Sequence, residues 1–136
     1  EPNPESYAYL RGVANKLGTQ TYKEAVSKHS GKIKYYAQEL SHLGGILPIN
    51  HESLDSLGYA KEAKNKEIEV TSITLLDFIK QNSINLVDLL KIDVQGAEED
   101  VLYGAGESLR VVTNVSVECN FLIFMGSRKV YTNLKE

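Results

Sequence analysis

Apolar positions along the chain fall into two rhythms, and each predicts a different element. Tyr7, Leu10, Ala14 and Leu17 recur at the spacing of one helix face, with Asn3 placed to cap the first turn, Pro4 at the first helical position and Gly18 just past the end. These positions predict a helix. Thr19 to Lys32 is open between two readings, because Tyr22, Ala25 and Val26 hint at a helical turn while Ser30-Gly31 breaks it. Ile33 to Leu40 alternates, with Ile33, Tyr35, Ala37 and Glu39 on one side, and predicts a strand. From Ser41 to Lys66 the pattern dissolves into a polar tract with glycine and serine, expected to be a long functional or disordered connection.

Order returns with the alternating run Ile68 to Ile73, a second strand. Thr74 follows as an N-cap with Asp77 three residues on, predicting a short helix that ends near Asn82. Leu86 to Ile92 is apolar except for Asp88 and Lys91, which predicts a strand buried on both faces, as at the centre of a parallel sheet. Ala97, Val101, Leu102, Ala105 and Leu109 then share one side of a helix, and Val111 to Cys119 supplies a further strand. Gly104 and Gly106 weaken that helix in isolation, so a close approach to a neighbour is expected there. Strands alternating with helices predict one α/β domain with an open, mostly parallel sheet.

Composition narrows the partners. A net charge of -3 with mixed signs throughout lacks the clustered Lys and Arg of a phosphate-tracking surface, so nucleic acid is not an expected partner. No uninterrupted apolar stretch is long enough to span a bilayer and no basic-then-apolar leader opens the sequence, which makes the cytoplasm the default compartment. Cys119 is the single cysteine and reads as a small buried hydrophobe. His29, His42 and His51 show no zinc-ligand spacing.

Chemistry concentrates where the apolar run ends. In open parallel sheets ligands bind beyond the carboxyl ends of strands, and Asp93 occupies such a place. Two readings stand side by side: a functional carboxylate, or a cap on the helix that follows. Glu98, Glu99 and Asp100, in that helix's first turn, are placed to meet the positive end of its dipole. On ligand type alone a divalent cation between Asp93 and Glu118 or Asn120 is conceivable, but spacing does not set the geometry, and the preferred reading has no metal.

The segment ITLLDFIKQNSINLVDLLKIDVQGAEEDVLYGA resembles the signature of the FkbM-type S-adenosylmethionine-dependent methyltransferases, in which a Leu-Asp pair opens a short helix and a strand ends in Lys-Ile-Asp, then Gly-Ala-Glu. EPNPESYAYL resembles that family's segment at the end of its second strand, and VSVECNFLIFMGSRKVY the strand after the signature. Gln95 stands where the family often has Glu. The resemblance implies a Rossmann-like class I methyltransferase sheet and S-adenosylmethionine as methyl donor. It places Glu1 on the donor's ribose hydroxyls, Ala37 near adenine and Asp93 beside the donor. It also implies Asp93 as orienting group or base, Glu98 as an assistant and Glu118 as an orienting residue in an O-methyl transfer to a small-molecule or glycan hydroxyl. The glycine-rich turn of such a fold would precede Glu1 and its closing strands would follow Glu136. The 136 residues are therefore expected to be a central piece of the domain, inactive alone and inclined to associate through an uncovered sheet edge. The rival expectation is a non-catalytic, truncated α/β interaction module.

Overall fold

The computed structural model describes residues 1–38, 44–48 and 66–118. Helix α1 spans Pro4–Leu17, as the periodicity predicts: the Asn3 side chain accepts from the Glu5 amide, and Gly18 closes the helix in the left-handed region. The segment left open in the sequence resolves into a two-residue strand, β1 (Ala25–Val26). Strand β2 (Gly31–Ala37) follows; Glu39 and Leu40, expected within it, lie outside the described residues. So does most of the connection from Ser41 onward.

Strand β3 (Lys66–Ile73) is the centre of a three-stranded sheet ordered β1-β3-β2. Its pairing with β2 is antiparallel, with Ile33 opposite Val70 and Tyr35 opposite Ile68. The intervening positions carry charge, and Lys34 reaches Glu67 at 2.9 Å. This alternation fixes register, since a one-residue slip would turn the lysines inward and the apolar side chains out. Tyr35, Val70 and Ala25 form one buried cluster.

Thr74 caps α2 (Leu75–Gln81), its hydroxyl accepting from the Asp77 amide at 3.0 Å. The Ser30 hydroxyl donates to the Asp77 carboxylate and accepts from the Thr74 amide, so Asp77 ties the end of β1's loop to the helix start. Strand β4 (Leu90–Ile92) leads through a tight loop to α3 (Glu98–Ala105), and a 3-10 turn (Gly106–Val111) leads to β5 (Val115–Val117). β4 and β5 pair in parallel, with Ile92 opposite Val117. Leu75, Ile79 and the fully buried Ala105 form the second core cluster, where α2 meets α3.

Three expectations change. The mostly parallel sheet is mixed: its longest ladder, β2 with β3, is antiparallel, while β1 with β3 and β4 with β5 are parallel. The strand expected over Leu86 to Ile92 is regular only from Leu90. Leu86 and Leu89 are 65% and 62% exposed, whereas Val87 and Leu90 pack against the helical cluster and Ile92 is buried. The two glycines of the third helix separate by cause. A side chain at Gly104 would collide with the backbone of Ser27 and Lys28, as a close approach requires, whereas Gly106 faces open space and is needed for its positive φ of 48°.

Candidate active site

The parallel pairing of β4 and β5 brings Asp93 and Glu118 side by side. Both follow the last paired residues of their strands, and the Glu118 amide donates to the Ile92 carbonyl at 3.1 Å. Two carboxylates at adjacent strand ends cannot both ionise freely. Hydrogen bonding with Asp93 raises the Glu118 carboxyl above its ordinary value, with burial and the Asp93 charge acting the same way. Asp93 moves the other way: hydrogen bonding with Glu118 and then with Lys91 holds it below the usual aspartate range. The Lys91 ammonium donates to Asp93 Oδ2 at 2.6 Å and the Gln95 side-chain Nε2 to Oδ1 at 3.0 Å. The pair thus consists of a firmly ionised Asp93 and a more proton-avid Glu118.

Asp93 does not cap α3. The N-cap position is Ala97, with no side-chain cap bond. The loop is held instead by Glu98, whose Oε1 accepts from the amides of Val94 and Gly96, both at 3.1 Å. Those two bonds stabilise a turn in which Gln95 has φ of 55° and Gly96 φ of 93°. A non-glycine residue in the left-handed region is uncommon and needs surrounding contacts to fix it. Glu98 therefore touches the loop, and through Gln95 it sets the aim of Asp93. Asp100 faces Lys28 at 3.5 Å.

Glu1 comes to the same place from the other end of the sequence. Its Oε1 accepts from the Asn3 amide at 2.9 Å, and its backbone nitrogen donates to the Tyr22 carbonyl at 3.0 Å. Glu1 and Asp93 line one cavity of about 410 Å³, walled by Ala25, Val26 and Ile46 on its apolar side and by Gln95 near Asp93. Ala37 is not brought there. It ends β2 and lines a separate cavity of about 440 Å³ with Asn3, Gln38 and Lys66. Glu118 stands beside Asp93 at the strand ends, and Asn120 lies outside the described residues. No group of three or more His, Cys, Asp or Glu is arranged to hold a metal among the described residues. Among them, too, no helix is long and apolar enough to cross a membrane.

Sequence reasoning missed Tyr35, Glu24 and the Gly44-Gly45 pair as lining residues. Alternation along β2 put Tyr35 on the inward face but could not say that this face borders a cavity.

A family model described as the methyltransferase FkbM domain matches residues 1–132. The chain belongs to this family. It is also similar to the 2-O-methyltransferase NoeI of Sinorhizobium fredii (strain NBRC 101917 / NGR234), with 30% identity over 118 residues covering 80% of this chain and 47% of that protein. The chain thus spans about half the length of the curated relative it matches. No solved structure matches it.

Proposed function

We propose that the chain forms the donor and acceptor site of an S-adenosylmethionine-dependent O-methyltransferase and works as part of a longer domain. One observation carries the reading: Glu1 and Asp93, from opposite regions of the sequence, line a single cavity whose volume of about 410 Å³ suits a small ligand. The residues present fit the donor. A ribose diol calls for a carboxylate, and among the described residues Glu1 accepts only through Oε1, from the Asn3 amide, so Oε2 is available to a ligand. An adenine ring calls for apolar walls, which Ala25, Val26 and Ile46 provide in place of Ala37.

When bound, S-adenosylmethionine would be held by Glu1 and the apolar wall of Ala25, Val26 and Ile46, and would supply an electrophilic methyl group to the acceptor oxygen. The chain supplies alignment and a destination for the hydroxyl proton. Asp93, kept ionised by hydrogen bonding with Glu118 and then Lys91, and oriented by Gln95, directs the acceptor hydroxyl. The Asp93–Glu118 pair takes the proton, Glu118 having the greater affinity for it. Glu98 acts through the loop and has no contact with reacting atoms in this reading.

The acceptor is a hydroxyl on a sugar or a secondary metabolite, a class supported by the likeness to a 2-O-methyltransferase. Transfer of radiolabelled methyl from the donor to a panel of hydroxyl-bearing oligosaccharides and small alcohols, with matched amines and thiols, tests this with the full-length protein. Labelled methyl ether is expected with the wild type and not with Asp93→Asn. Labelling of amine or thiol acceptors only would overturn it.

A further inference from the structure

Tyr35 is 5% exposed, and its ring belongs to the core beside Ala25 and Val70, yet it also lines the cavity that holds Glu1 and Asp93. No hydrogen bond of the Tyr35 hydroxyl is found among the described residues, and it is not one of their sealed, partnerless side-chain atoms, so the polar tip of this buried ring opens onto the cavity. Its position is nevertheless held closely: the hydroxyl occupies the space where Gly44 would carry a side chain, so the backbone at Gly44 closes over it and any larger residue there would displace it. Around it, Ala25 is apolar and Glu1 is the acid whose charge acts on it. Burial first, and then the Glu1 carboxylate, push the phenol up to about 12, so it stays a neutral O–H donor throughout the physiological range.

A positioned donor that opens onto a cavity shared with a carboxylate is complementary to a ligand that carries both hydroxyls to donate and a nearby atom to accept. Nucleosides have this pattern. We propose that Tyr35 is a ligand-binding residue, its hydroxyl donating a hydrogen bond to the nucleoside portion of the methyl donor whose ribose Glu1 holds. The inference rests on the methyl-donor reading of this cavity and adds a contact that the sequence motifs do not contain. Gly44 is the accompanying positioning residue, since it leaves room for the hydroxyl.

The test compares the full-length wild type with Tyr35→Phe by calorimetric titration with S-adenosylmethionine and with adenosine, and by thermal melting without ligand. Phenylalanine keeps the ring and removes only the donor. Affinity for both probes is expected to fall about tenfold, as for loss of one net hydrogen bond of ordinary strength. The melting temperature of the free protein is expected to hold, because the ring keeps its packing beside Ala25 and Val70 and no hydrogen bond among the described residues is lost. A purely structural tyrosine gives the opposite pattern, a lower melting temperature with unchanged affinity, and would overturn the inference. Unchanged affinity at an unchanged melting temperature would overturn it too. Failure of the wild type to bind either probe would remove the methyl-donor reading itself, an outcome distinct from a wild type that binds and a variant that binds equally well. Gly44→Ala should reproduce the affinity loss of Tyr35→Phe without adding to it in the double variant.

Discussion

At the scale of single residues, the signature segment and the strand after it divide their acids among different tasks. Asp93 and Glu118 meet at neighbouring strand ends, Glu98 holds the loop between them and the helix, and Asp77 secures a helix start. The identity of these residues was legible in the sequence. Their roles were not, because a carboxylate beside a helix start can cap, clamp or react, and only the bond partners decide. The coupled pair gives a signed prediction. Glu118 is raised, so its proton favours the fold below the ordinary glutamate value, and that contribution is lost as pH climbs through the raised value. Glu118→Gln removes the repulsion and should lift the melting temperature by roughly 1–3 °C near neutral pH and not at all near pH 4, the gain being small because both carboxylates are exposed. Asp93 has the contrary sign: its lowered value stabilises the fold above the ordinary aspartate range and is lost as pH falls through the lowered one. In turnover, Asp93→Asn should cost about 10²–10⁴-fold in kcat. Glu98→Gln, which retains a carbonyl oxygen for Val94 and Gly96, should keep most of the activity that Glu98→Ala loses.

Elements were more readable than residues. Helix α1 has matching signals at both ends, Asn3-Pro4 and Gly18, so propensity and capping agree with its apolar spacing. Strands β2 and β3 each alternate, and their antiparallel pairing puts apolar against apolar and lysine near glutamate. What the sequence could not reveal was the pairing partner of β3, since alternation fixes which face is inward but not which strand lies beside it. The continuous run before Asp93 misled for a related reason. Burial on both faces needs cover on both, and Leu86 and Leu89 have none among the described residues. Two glycine substitutions separate conformational from packing effects. Gly12 sits in α1 with nothing near a prospective side chain, so Gly12→Ala should stabilise by up to about 1 kcal/mol in chemical denaturation. Gly104→Ala gains the same helix propensity but collides with the backbone of Ser27 and Lys28, and should lose about 1–3 kcal/mol net.

For the molecule as a whole, Glu1, Tyr35 of β2 and the Asp93 loop that follows β4 line one cavity, and the β4–β5 pairing sets Glu118 beside Asp93 at its margin. Leu86, Leu89 and Val115 leave an apolar surface flanking the β4–β5 pair. The 136-residue chain produced by itself should therefore elute in size-exclusion chromatography above its 15.1 kDa monomer mass, with the shift diminishing after Leu86 and Leu89 are replaced by Ser. The central claim is that Glu1 grips the ribose of the methyl donor within this cavity, and calorimetric titration of the full-length protein with S-adenosylmethionine tests it most directly. The account predicts saturable one-site binding that weakens at least about tenfold in Glu1→Gln, where a charge-assisted contact to the diol is lost. Equal affinity of the wild type and Glu1→Gln would contradict it.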